Sequence, residues 1–267
     1  MGEPVQVWAT WFPAEGPPKS FIQGFSVEEL KMSARGQAPF HFQVGKNRME
    51  ENCCRGMMRV DGHSVSWDLH YRSNFRVTLS SKGWIGFSRT PHSDAIFSGQ
   101  VELDGRKFSG DPLGFGVQGH NCGYRHRSFW VWTHAYFPRD GGPASTLEAL
   151  VYDMPFGFVF HRAVLWHEGK EYVFRNLKEI NPSSKTMQWN FCCVSKEGLH
   201  LHATVDGSGP SLHRLVYAKT DCTGSFEVRN NSLSSASILI EQAGKPAEPL
   251  ETRIGAVLEM AGGYSGI

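Results

Sequence analysis

The sequence predicts an all-β fold of antiparallel strands, and three observations carry that expectation. Runs of alternating apolar and polar residues recur along the chain, turn dipeptides separate them, and a single segment opens like a helix. Val65, Trp67, Leu69 and Tyr71 alternate with Ser66, Asp68, His70 and Arg72, the pattern of a half-buried strand. Phe75, Val77 and Leu79 continue the rhythm against Asn74, Arg76 and Thr78. Leu199, Leu201, Ala203 and Val205 repeat it against His200, His202 and Thr204. Asp61-Gly62, Asp104-Gly105, Asp140-Gly141 and Asp206-Gly207 supply the turns. The helical start is Ser26-Val27-Glu28-Glu29-Leu30, in which Ser26 and Glu29 have the spacing of a capping box. With so little helix, a parallel α/β sheet is excluded, and an antiparallel barrel or sandwich is left.

Composition agrees. A chain of 267 residues buries one large core or two modest ones, and 12% aromatics with 29 Gly and 14 Pro suit strands joined by many turns. A net charge of +1 and a pI near 7.7 argue against a nucleic-acid partner or a polybasic membrane surface. No apolar run reaches the length needed to cross a bilayer as a helix. Glu3 and Trp8 stand where a secretory signal carries positive charge and then an apolar stretch, so the expected location is cytoplasmic. Six cysteines, including the pairs Cys53-Cys54 and Cys192-Cys193, follow neither disulfide nor zinc spacing and read as reduced thiols.

The segment from Asp111 to Gly119 is rich in glycine and reads as a linker, which divides the chain into domains 1–118 and 119–267. Within it, Gly114-Phe115-Gly116-Val117-Gln118-Gly119 spells a dinucleotide-binding fingerprint. That fingerprint works only between a strand and a helix, and here the chain runs into an aromatic strand, so it is rejected. The unit Val101–Phe108 has a loose echo in Val164–Tyr172. His200 and His202 have the spacing of a two-histidine metal pair, but no third ligand is recognisable and a solvent-facing strand side is the better reading.

The most informative stretch is Gly119-His120-Asn121-Cys122-Gly123-Tyr124-Arg125-His126 with the following Ser128-Phe129-Trp130-Val131-Trp132-Thr133-His134-Ala135-Tyr136-Phe137. In a strand, Trp130, Trp132, His134 and Tyr136 share one face and Phe129, Val131, Thr133, Ala135 and Phe137 the other. The second face reads as ordinary core. The first is aromatic and titratable, as the wall of a pocket for a large apolar molecule would be. His120, Asn121, Arg125, His126 and His134 either close a barrel end or do acid–base and electrostatic work in a cavity. Cys122 reads as a small buried filler before a nucleophile. Asp68, His70, Asp94 and Asp153 are further titratable candidates whose ordinary reading is a solvated face.

This turn-plus-strand unit resembles the His-Asn-Trp-Gly region of the lipocalin-like cyclase and hydratase superfamily, to which tocopherol cyclases and carotenoid 1,2-hydratases belong. Gly99–Gly105 is similar to the hairpin before that motif, Phe129–Trp132 to the strand after it, and Val164–Phe174 to the next hairpin. Cys222–Val228 and Leu250–Tyr264 resemble the closing strands. The likeness covers the second half well and the first half loosely. It implies two consecutive lipocalin-like antiparallel β-barrels. Because Val7–Phe12 reads as an interior strand, the first barrel is expected to lack its opening strands. Cys122 stands where the family has tryptophan, a change that reshapes the pocket.

The resemblance also implies chemistry by protonation and ring closure, or by addition of water to an alkene, with no cofactor and no metal. The expected ligand is a small hydrophobic molecule of isoprenoid or polyene type, compatible with peripheral contact with a membrane. His120, His134 and Asp153 are the expected catalytic residues, and Asn121, Cys122, Arg125, Trp130, Trp132, Tyr136 and Trp67 the expected ligand-binding ones. Imidazolium is a modest acid towards alkenes, so a carboxylic acid of raised pKa is the better donor, and the sequence does not identify it. A non-catalytic lipid carrier and a pericyclic cyclase stay open as alternatives on the same fold.

Overall fold

The computed structural model describes residues 5–33, 40–80, 86–123, 127–139, 143–183, 185–219 and 224–262. Most of them form strands. The first half contains β1 (Val5–Trp11), β2 (Lys19–Phe25), β3 (Lys31–Met32), β4 (His41–Val44) and β5 (Asn47–Glu50). It continues with β6 (Cys53–Val60), β7 (His63–Arg72), β8 (Val77–Ser80), β9 (Gly86–Leu103) and β10 (Arg106–Gly123). The second half contains β11 (Trp130–Phe137), β12 (Ser145–Asp153), β13 (Val159–His167), β14 (Lys170–Phe174) and β15 (Lys178–Ser183). It closes with β16 (Gln188–Val194), β17 (His200–Asp206), β18 (His213–Ala218), β19 (Ser225–Glu241) and β20 (Glu248–Ala261). Among the described residues, helical turns are confined to two short 3₁₀ segments, and no helix is long and apolar enough to cross a membrane.

The expected helix at Ser26 is one such turn. Ser26 N donates to Glu29 Oε2 at 3.0 Å, but Leu30 returns to extended backbone and β3 follows directly. The alternating runs become strands, except that Asn74–Arg76 precede β8 and Leu199 precedes β17. In β17, Leu201, Ala203 and Val205 are buried while His200, His202 and Thr204 face outward. Asp61-Gly62 and Asp104-Gly105 both adopt positive φ at each residue, the geometry that matches the twist of a tight hairpin. Glu168-Gly169 does the same, so the echoed hairpins β9–β10 and β13–β14 turn alike. Asp140-Gly141 lies outside the described residues. Asp206-Gly207 leaves β17 without that turn geometry.

One expectation is corrected. The glycine-rich stretch from Asp111 to Gly119 is no linker but the body of the 18-residue strand β10. β10 ends the order β10-β9-β7-β6-β5-β4-β3, and an edge strand is where a proline such as Pro112 is tolerated.

Two compact units emerge. The first comprises Met1–Trp11, Lys19–Arg76 and Pro91–Gly119, and the second Phe12–Pro18, Val77–Thr90 and His120–Ile267. In the first, Phe21, Met58 and Val65 form a small core with Val7, Trp11 and Trp67 packed on it. In the second, an antiparallel sheet curls in the order β14-β13-β12-β11-β20-β19-β17-β16-β15, with β18 on β19. Its inner face is apolar and close-packed around Trp189, Phe137, Phe174, Leu165 and Leu258, each fully buried. The architecture is all-β, with antiparallel sheets curled in the manner of barrels.

Candidate functional site

β11 sits in the middle of the second sheet, between β12 and β20. Its inner side chains, Val131, Ala135 and Phe137, join the apolar core as their alternation predicts. The opposite face carries Trp130, Trp132, His134 and Tyr136 in cross-strand contact with both neighbours. On β12 they oppose Tyr152, Leu150, Glu148 and Thr146; on β20, Trp130, Trp132 and His134 oppose Ala261, Glu259 and Val257. Directly opposed residues on one face hold their Cβ atoms about 5 Å apart. Two carboxyls therefore stand on the strands flanking an aromatic, histidine-bearing strand.

Glu148 is the more deeply set, at 2% exposure. Its Oε1 accepts the Trp132 indole N–H at 3.0 Å and the Thr90 hydroxyl at 2.7 Å, while Oε2 has no hydrogen-bond partner among the described residues. Burial disfavours the charged form more strongly than those two hydrogen bonds favour it, and the carboxyl is pushed up to about 7. The geometry suits the neutral acid: with both donors on Oε1, Oε2 is the oxygen left to carry the proton when the carboxyl is neutral. His134, itself 2% exposed, faces it across the strand pair.

Glu259 repeats the motif on the other side. Its Oε1 accepts the Trp130 indole N–H at 2.9 Å and its Oε2 the Asn230 amide at 3.3 Å. Although the residue as a whole is only half-buried, burial of its carboxyl raises the pKa against the lowering effect of both hydrogen bonds. Trp130 meets Phe226 edge-on at 5.6 Å, and Phe226 meets Tyr217 at 5.8 Å. The phenol of Tyr217 is raised by burial first and by the charge of Glu259 second. The face thus combines two reluctant carboxylates, a buried imidazole and a run of aromatic rings.

The expected site residues separate in the structure. His134, Trp130, Trp132 and Tyr136 lie together on this face. Asp153 ends β12, where its carboxylate accepts Ser128 Oγ at 2.5 Å and the Phe129 amide at 3.0 Å; it fastens the start of β11. His120, half-buried, and Asn121, exposed, lie at the end of β10, whose backbone also includes Cys122. Arg125 lies outside the described residues. Trp67 belongs to the core of the first unit. Asp68 pairs with Arg55 at 2.7 Å on the surface, and Asp94 accepts the Asn74 and Phe75 amides.

Sequence reasoning missed Glu148, Glu259 and Thr90. The signal was present for the first two: each is the sole charge within an otherwise apolar run, Leu147-Glu148-Ala149-Leu150-Val151 and Ala256-Val257-Leu258-Glu259-Met260-Ala261. Among the described residues, one cluster has metal-like proximity: His167, Glu168 and Glu248. Arg139 approaches both carboxylates, at 3.6 and 3.3 Å, and so occupies the role a cation would take. An open groove over β16, β17 and β19 is lined by Asn190, Cys192, His202 and Glu251, a solvated strand face apart from the carboxyl cluster.

No protein-family model matches the sequence, and no curated protein is significantly similar to it. Among solved structures, the chain is similar in fold to kievitone hydratase from Nectria haematococca. The TM-score is 0.54 at 13% identity, over 93% of this chain and 76% of that one. An AttH-like protein from Nitrosomonas europaea aligns with a TM-score of 0.47 and 11% identity, over 92% of this chain and 76% of that one. The first of these likenesses places the chain in a lipocalin-like, barrel-type fold.

Proposed function

We propose that this protein binds an apolar isoprenoid- or polyene-type molecule and catalyses acid-assisted hydration or cyclisation of its alkene, with Glu148 as the proton donor. The observation that carries this reading is the buried, unpartnered Oε2 of a carboxyl held near neutrality beside His134 and Trp132. A fold neighbour that is a hydratase supports it. The same reading takes residues 1–118 and 119–267 as the two barrels and the chain as a member of the cyclase and hydratase superfamily.

The chemistry balances without an external reagent. Glu148 Oε2–H gives its proton to one alkene carbon, and the other carbon becomes cationic. The faces of Trp130 and Trp132 stabilise that charge. Water, or a hydroxyl of the substrate, adds to the cation and releases a proton to His134 or Glu259, from which Glu148 is recharged. The products are the hydrated alkene or its cyclic isomer. His120, Asn121, Cys122, Arg125 and Tyr136 are assigned to binding and orientation, Trp67 to the core of the first unit, and Asp153 to holding the start of β11.

Incubation with a panel of prenylated and geranylated phenols in deuterated water tests the proposal. Wild type is expected to yield products that have gained one water or isomerised, each carrying one carbon-bound deuterium. Glu148→Gln should bind the same compounds without turning them over. Binding without turnover by wild type itself marks a carrier. Turnover that survives in Glu148→Gln marks a cavity that acts by shape alone. Either result overturns the assignment.

A further inference from the structure

The hairpin between β12 and β13 holds two aromatic side chains in solvent. Phe156 is 96% exposed and Phe158 67% exposed. Phe156 also lies at φ 65°, ψ 24°, in the left-handed region where a bulky L-residue is strained. Glycine or asparagine takes such a position at lower cost. Here a phenylalanine occupies it with its ring in water, so the position is both strained and unfavourably solvated. The turn itself is well defined, closed by Met154 N donating to Phe158 O at 2.7 Å.

The base of this hairpin is ringed by arginines. Tyr152 and Phe160 stack at 4.7 Å across the strand pair; Arg127 lies 5.2 Å over the first ring and Arg162 5.5 Å over the second. Arg175 is exposed and close enough to Arg162 to add to the burial that lowers the latter's proton affinity. None of the three forms an ion pair among the described residues. The nearby carboxylate, Asp153, is occupied by Ser128 and the Phe129 amide. Three uncompensated guanidiniums behind two exposed rings call for an apolar layer lying under a negative one.

We infer that this hairpin docks the protein on a bilayer containing anionic lipid, with Phe156 and Phe158 entering the headgroup–acyl boundary and Arg127, Arg162 and Arg175 meeting lipid phosphates. Aromatic rings favour that boundary, and basic residues beside it add electrostatic attraction. A protein partner fits less well. Two rings bring about 400 Å² of surface, roughly half of what one side of a stable interface buries. The inference rests on the hairpin and the arginines beside it and does not depend on the chemistry proposed for Glu148.

Co-sedimentation with vesicles of phosphatidylcholine, or of phosphatidylcholine and phosphatidylserine at roughly 2:1, tests it. Wild type is expected to bind the anionic vesicles and to be released by salt. The double variant Phe156→Gly/Phe158→Ser should lose binding by about 100-fold while keeping its circular dichroism spectrum, since glycine relieves the strained backbone. Arg162→Gln/Arg175→Gln should lose roughly 25-fold on anionic vesicles, about fivefold for each charge. Equal sedimentation of wild type with both vesicle types, or unchanged binding by the double phenylalanine variant, overturns the inference. So does a wild-type dimer that this variant dissolves in the absence of lipid, which would assign the hairpin to self-association.

Discussion

Trp130 and Trp132 stand two residues apart on β11, yet they donate their indole N–H groups to carboxyls on different neighbouring strands, Glu259 on β20 and Glu148 on β12. The strand between two buried acids thereby satisfies one oxygen of each. That leaves Oε2 of Glu148 without a hydrogen-bond partner among the described residues, whereas Oε2 of Glu259 is held by Asn230. The asymmetry separates a group poised to give up a proton from one already solvated by the protein.

The raised proton affinity of Glu148 is also a statement about stability. In the unfolded chain its carboxyl ionises near 4.5, and in the folded protein near 7. Its contribution is fully present below pH 4.5 and is lost as pH rises to about 7, because only the unfolded state has then released its proton. Glu148→Gln should therefore melt close to wild type at low pH. At pH above about 7 it should be the more stable by roughly 3 kcal/mol, which paired thermal melts will show.

The hydrogen bond from Trp132 supplies an optical reporter. Ionisation of Glu148 changes the charge 3.0 Å from one indole. The fluorescence difference between wild type and Trp132→Phe should step with a midpoint near pH 7, and the step should vanish in Glu148→Gln. A featureless difference through that range counts against a neutral Glu148.

Asp153 offers a test of structural against catalytic roles. Asp153→Ala strands the Phe129 amide and the Ser128 hydroxyl, and should cost about 1–3 kcal/mol in denaturant unfolding. With a substrate in hand, its turnover at a temperature where the variant is fully folded should stay within a few-fold of wild type. A loss as deep as that of Glu148→Gln would place Asp153 in the proton path.

Gly99 fixes the pairing of β9 with β7. It lies opposite Leu69 at φ 120°, and a methyl group there would fall 2.1 Å from the Asp68 carbonyl oxygen. Gly99→Ala combines an unfavourable backbone region with a collision against main chain, so it should lower stability by more than about 2 kcal/mol. Urea titration of the single variant reads this directly.

Much of the β11 face was legible from alternation. Val131, Ala135 and Phe137 go inward, and Trp132, His134 and Tyr136 share the other side, because a period of two leaves no other choice. The strand character of β10 was hidden by Pro112 and its glycines, which weigh against a strand unless it lies at an edge. Glu148 was hidden for a different reason. A lone glutamate in a strand is ordinarily a solvent-facing residue, and what buries this one includes Thr90, 58 positions earlier in the chain. Local pattern shows which face a residue takes, but what covers that face depends on segments far along the chain.

The pairing of β11 with β20 also sets the order in which the site comes into being. Trp130 and Glu259 are 129 positions apart, and β20 docks between β11 and β19. During synthesis β11 emerges long before that partner, with one ladder edge open and its tryptophans unprotected. The acid pair is thus complete only once this long-range pairing has formed. Until β20 arrives, the aromatic strand is a target for chaperones or for mispairing with another nascent chain.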